Sequence, residues 1–210
     1  MTGERDRADE VSPLGADLKA WRKAERARLI ESRLSIPGDL RRRHDARIMA
    51  CLETMLEPVA GRIIAAYWPF KGEPDLRRLL ERIDAHGGRC ALPVVVARGQ
   101  PLIFRAWSPG EKLTRGIWNI PIPGEDAPCV VPDMVIAPVV GFDSAGYRLG
   151  YGGGFYDRTL AALERRPELH GVGYSSAAIR TIFPQWHDIP LGRVVTEEGP
   201  IRFGPAGQGA

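Results

Sequence analysis

Four glycines fall within five positions, Gly150, Gly152, Gly153 and Gly154, with Arg148 before them and Asp157 and Arg158 after. Glycine there removes the side chains that block a ligand from the backbone. It also permits positive φ, so successive N–H groups can turn inward as an anion-binding nest. A helix expected from 155 adds its positive N-terminal end. The two arginines suit phosphate oxygens, and Asp157 suits a magnesium ion bridging them. Neither common phosphate motif is present. A GxGxxG string starting at Gly150 needs glycine at 155, which is Phe155, and no Gly-Lys-Ser/Thr string occurs. The plain alternative is a flexible hairpin tip, and the arginines, aromatics and aspartate around the glycines argue against it.

The elements that must position this loop are legible from apolar spacing. A first helix is expected from Leu14 to about Arg33 and a second from roughly 39 to 57, broken by Ser35, Pro37 and Gly38. Strands are expected at 62–68, 90–96, 101–107 and 134–142, the last being the most hydrophobic and leading into the glycine loop. Residues 75–86 and 155–166 read as helices, and 171–174 and 192–198 as short strands. The Pro- and Gly-rich stretch 108–132 reads as loop. Strands alternating with helices indicate an α/β fold, a single layered domain with a central mixed, mostly parallel sheet flanked by helices. Residues 1–13 are expected to be a flexible leader, 14–198 the single α/β catalytic domain and 199–210 a flexible tail.

Composition narrows the class. The chain has 210 residues, 44% hydrophobic and 26% charged, as in ordinary globular proteins. No run of about 18 apolar residues occurs, and the first ten residues carry no apolar signal, so a cytoplasmic location is expected, without a membrane. The net charge of +3 is too mild for a protein that coats nucleic acid. Residues 18–50 hold ten Lys/Arg against four acids, most of them expected on solvated helix faces. The three cysteines, Cys51, Cys90 and Cys129, form neither a disulfide framework nor a metal pattern.

The segment RLGYGGGFYDR (148–158) resembles the RLGxGxGYYDR signature of the 5-formyltetrahydrofolate cyclo-ligase family. Further segments resemble that family in the same order over about 17–198: Lys19-x-x-Arg22, AAYWPFKGEPD, WNIPIP, DMVIAPVVGFD and WHDIPLGRVVTEE. The resemblance implies ATP- and magnesium-dependent cyclisation of 5-formyltetrahydrofolate to 5,10-methenyltetrahydrofolate, with release of ADP and phosphate. It implies ATP binding by Lys19, Arg22, Lys23 and the run Arg148, Leu149, Gly150, Tyr151, Gly152, Gly153, Gly154, Phe155 and Tyr156. Arg148 and Tyr156 are the implied catalytic residues, and Asp157 and Asp188 the magnesium ligands. Trp68 and Glu73 are implied folate contacts, joined by Tyr151 to Phe155. A carboxylate accepts paired hydrogen bonds from a pterin edge, and a flat aromatic packs on it. Phe70, Trp107, Trp118 and Tyr174 are candidates for the same wall. The implied partners are the folate and ATP, and a monomer is expected.

The sequence departs from the family pattern in places. Ala177 stands where many members carry Gln, Ile122-Pro123 where Glu-Pro is common, and Tyr151 at a variable position. The folate side is thus less faithful than the nucleotide side. One competing reading is a cyclo-ligase-like paralogue that binds nucleotide or folate without this activity or with another substrate. The other, from a different class, is an RNA-binding module using the arginine-rich helices at 18–50; that region lacks interleaved exposed aromatics.

Overall fold

The apolar runs become neighbouring strands in the computed structural model, which describes residues 15–204. An eight-stranded sheet has the order β12-β11-β10-β7-β1-β2-β3-β6. Its middle comprises β1 (Ile63–Ala65), β2 (Arg89–Val95), β7 (Met134–Pro138), β10 (Glu168–Val172) and β11 (Arg193–Thr196), all parallel to their neighbours in this set. The edges β3 (Leu102–Ala106), β6 (Cys129–Val130) and β12 (Gly199–Arg202) run antiparallel to the strands they join. Strands covered on both faces need apolar residues at consecutive positions, which is why Met134–Ala137 is buried without alternation.

Helices α2 (Gly38–Leu56) and α3 (Arg77–Ala85) cover one face. Ile48, Leu52 and Leu56 of α2 and Leu79, Leu80 and Ile83 of α3 share a core with Ile64, Leu92, Met134, Ile136 and Val195. The opposite face is built of small residues, Ala65, Ala91 and Ala137 with Val135 and Phe104, and receives Tyr156 from α4 (Phe155–Ala162). Helix α1 (Ala16–Leu34) joins a separate cluster in which Leu29 meets Val140, Leu149 and Ile182. No helix of the described residues is long and apolar enough to cross a membrane.

The structure refines several expected boundaries. The stretch 108–132 is not all loop: β4 (Leu113–Arg115) and β5 (Pro121–Pro123) pair as a hairpin around a 3-10 turn at Ile117–Asn119, and β6 follows. The run 134–142 divides into β7 and β8 (Gly141–Phe142), and β8 pairs with β9 (Arg148–Leu149). The last helix stops at Ala162, short of the expected 166, where Leu163 turns to extended geometry (φ −79, ψ 127). Glu168 begins β10 ahead of the expected 171. The tail expected from 199 begins with an ordered strand, since Val194↔Ile201 and Thr196↔Gly199 pair across β11 and β12. The leader 1–13 lies outside the described residues.

Candidate active site

The parallel strands all deliver their carboxyl ends to one side of the sheet, the general place for ligands in open α/β sheets. There β1 runs into the 66–76 loop carrying Trp68 and Glu73, and β7 runs through the β8–β9 hairpin into the glycine loop. The β4–β5 hairpin leans in from the other flank. Between them lies a cleft of about 240 Å³. It is lined by Arg22, Trp68, Glu73, every residue from Arg148 to Asp157, and Asp188. Lys19 and Lys23 stand exposed on α1 and are not part of that lining.

At one end, two aspartates each hold an arginine. Asp157, in the first turn of α4, accepts at Oδ1 from Arg148 Nη2 (2.7 Å) and from the Ile189 N–H (3.1 Å). Arg148 also donates Nη1 to Ile189 O (2.7 Å). Asp188 accepts at Oδ2 from Arg22 Nη2 (2.7 Å) and from the Gln185 N–H (2.7 Å). Arg22 is fixed further by Ile182 O (3.1 Å) and Phe183 O (2.8 Å). The second oxygens, Asp157 Oδ2 and Asp188 Oδ1, make no hydrogen bond among the described residues. His187 Nε2 lies 3.9 Å from Asp188 Oδ1.

That donor set bears on magnesium. No cluster of three or more His, Cys, Asp or Glu among the described residues is arranged to hold an ion alone. Two carboxylates with one unbonded oxygen each fit an ion shared with phosphate oxygens and water, which is how magnesium is usually held.

Two of the four glycines of the loop use the positive φ that the sequence allows. Gly152 (φ +89) and Gly154 (φ +62) take left-handed conformations, and Gly154 caps α4 without a side-chain hydrogen bond. Gly153 does not need positive φ; a Cβ there would meet the Phe155 ring at 2.4 Å. Arg158 donates back to Gly153 O and lies over the Phe155 ring, 5.6 Å from its centroid.

The other end is aromatic around one buried carboxylate. Glu73 accepts from the Tyr151 hydroxyl at Oε1 (2.7 Å) and from the Phe70 N–H at Oε2 (2.9 Å). Burial raises its carboxyl from the usual range to about 7, against the opposing pull of the Arg33 guanidinium, Tyr151 and the Phe70 N–H. Burial also drives the Tyr151 and Tyr156 phenols well above their ordinary range, so both stay neutral. Trp68 meets Trp107 edge-on at 5.8 Å, and Phe70 and Trp118 line the cleft. Trp107 and Tyr174 are buried in the main core and lie outside the lining. Of the three departures, Ile122 and Tyr151 line the cleft, whereas Ala177 packs with Val139, Phe142 and Leu191 in a satellite core.

Sequence reasoning missed two residues on α1. Arg26 lines the cleft and donates Nε to Gly150 O (2.7 Å). Arg33 is buried, donating to Lys71 O (3.0 Å) and to the Tyr151 hydroxyl (2.6 Å). With Arg22 they follow helical spacing along one side, a signal present in the sequence but diluted by the other basic residues of α1. The β4–β5 pairing that forms this wall was also missed, although Trp118 upon it was expected to line the site; Trp118 takes a left-handed conformation (φ 57) and meets Phe155 edge-on at 6.1 Å.

Comparison with known proteins adds independent findings. The family model described as the 5-formyltetrahydrofolate cyclo-ligase family matches residues 18–197. The 5-formyltetrahydrofolate cyclo-ligase of Escherichia coli K12 is 34% identical over 145 residues, 66% of this chain and 79% of that one. The Mycolicibacterium smegmatis protein of the same name is 29% identical over 183 residues, 84% of this chain and 93% of its own. The NMR structure of Aquifex aeolicus 5,10-methenyltetrahydrofolate synthetase superposes with a TM-score of 0.76 at 26% identity, covering 90% of this chain and 96% of that one.

Proposed function

The chain belongs to the 5-formyltetrahydrofolate cyclo-ligase family, and from that premise we propose that it closes 5-formyltetrahydrofolate to 5,10-methenyltetrahydrofolate at the expense of ATP. The observation that carries this reading is the division of one cleft. A buried carboxylate ringed by aromatics lies at one end, and a glycine loop flanked by two arginine-paired aspartates at the other.

A formyl oxygen is a poor leaving group until it is phosphorylated. In the proposed reaction it takes the γ-phosphoryl group, the bond to the bridging oxygen breaks, and ADP departs with that electron pair. N10 of the folate then attacks the formyl carbon and gives up its proton, and inorganic phosphate leaves with the former formyl oxygen. No protein nucleophile is needed, so the residues act by positioning and charge neutralisation. Glu73 accepts from the pterin edge while Trp68 and Phe70 pack on its plane. Glycine-loop N–H groups and the α4 N-terminus face the phosphates. Arg148 fixes the Asp157 carboxylate, and Arg22 fixes that of Asp188, each leaving one oxygen for magnesium. The ion, when bound there, neutralises phosphate charge. The same reading makes the protein a cytoplasmic monomer whose partners are the folate and ATP.

The test is the near-ultraviolet absorbance of the methenyl product, formed from 5-formyltetrahydrofolate with magnesium and ATP. A signal that requires the protein and ATP together supports the reading. Nucleotide binding without that signal overturns the substrate and points to Ile122, which lines the cleft where Glu is common in the family.

A further inference from the structure

Three guanidinium groups reach the cleft, and two of them are neutralised. Arg22 pairs with Asp188 and Arg148 with Asp157, each at 2.7 Å. Arg26 is different. Its Nε is held by Gly150 O at 2.7 Å, and no carboxylate of the described residues forms an ion pair with it. It is half-buried on α1, and a cation withdrawn from water beside a second cation, without a carboxylate in direct contact, is costly. Burial, reinforced by the neighbouring Arg22 and only partly offset by the Asp188 carboxylate, holds its pKa below the ordinary arginine range. The loop is shaped around this group: a Cβ on Gly152 would stand 3.2 Å from Arg26 Cζ. One backbone carbonyl orients the fork and leaves its terminal nitrogens without an acceptor among the described residues.

We propose that Arg26 is a catalytic residue whose guanidinium binds the phosphate chain of the nucleotide at the glycine loop, the substrate supplying the anion in direct contact. This rests on the reading of the loop as a nucleotide site. Arg22 and Arg148 are engaged in fixing the aspartates, so Arg26 is the cleft arginine left to follow phosphate charge. Its planar fork matches phosphate oxygens bidentately, which a lysine at the same place does not.

The test is isothermal titration of the full chain, in magnesium buffer, with AMP, ADP and the non-hydrolysable analogue AMP-PNP. Arg26→Gln is expected to lose affinity for AMP-PNP by about 10- to 100-fold, as for a charged hydrogen-bonding partner. The loss should be smaller for ADP and absent for AMP, with KM for the folate unchanged. Arg26→Lys keeps the charge but not the fork, and is expected to fall between. An equal loss for all three nucleotides would mean that Arg26 only props the loop through Gly150 and would overturn the proposal, as would no loss at all. A wild-type protein that binds none of them would overturn the nucleotide site itself.

Discussion

Replacing Glu73 by Gln removes a charge that burial disfavours while keeping the side-chain shape. A carboxyl raised from 4.5 to about 7 in the folded protein is protonated there when it is already ionised in the unfolded chain. Its stabilising contribution is therefore complete below pH 4.5 and is lost as pH rises through 7. At about 1.4 kcal/mol for each tenfold change in proton affinity, the whole effect is about 3 kcal/mol, of which roughly 2.5 kcal/mol falls between pH 5 and pH 8. The Gln variant carries a fixed penalty, because one amide oxygen cannot accept from both the Tyr151 hydroxyl and the Phe70 N–H. That penalty does not vary with pH. Urea unfolding of both proteins at pH 5, 6, 7 and 8 isolates the titration, since every other group cancels in the difference. The gap is expected to move in favour of the variant by roughly 2.5 kcal/mol as pH rises. Parallel curves would refute the raised carboxyl. In the same window wild-type KM for the folate is expected to fall with rising pH, as the carboxylate that accepts from the pterin forms.

Asp157→Asn takes the counter-charge from Arg148, which is nearly fully buried; a loss of about 3 kcal/mol in unfolding free energy is expected. A fall of about 10²-fold or more in magnesium-dependent turnover accompanies it, and unchanged stability would contradict the pairing. Gly152→Val places a β-branched residue at φ +89 with its Cβ against Arg26, so about 1–3 kcal/mol of strain and weakened AMP-PNP binding are expected by melting and titration. Leu52→Ala opens the fully buried core under α2; a cost of about 2–5 kcal/mol is expected, with both KM values retained.

The sheet was readable because its central strands are buried on both faces and spell continuous apolar runs, as Met134–Ala137 does. The hairpin wall was not, for its short strands contain Pro121 and Pro123, and proline lacks the N–H that a ladder uses. Pro200 hid the last strand in the same way. The glycine loop and Asp157 were legible as a string with a flanking acid, whereas Asp188, far along the chain, was indicated by the family resemblance alone. The α1 arginines were only half legible. Helical phase groups Arg22, Arg26 and Arg33, but ten basic residues over 18–50 offer several such groupings. Only the docking of α1 selects among them, leaving Lys19 and Lys23 in solvent. The rise of Glu73 to about 7 is a property of burial, which no local sequence pattern encodes.

Helix α1 fully buries two of its described apolar side chains, Leu18 and Leu29, where α2 buries three in the main core. Much of what moors it to the body is polar: Arg22 to Ile182 O and Phe183 O, Arg26 to Gly150 O, and Arg33 to Lys71 O. Arg22 and Arg33 stand about 16 Å apart along the rod at 1.5 Å per residue, Arg22 in the cleft beside Asp188 and Arg33 behind Tyr151. The side chains that fasten this helix also hold the site: Arg22 holds Asp188, Arg26 holds Gly150 and Arg33 holds the Tyr151 hydroxyl. On the proposed reading, one helix thus braces the nucleotide half and the folate half of the cleft through separate arginines.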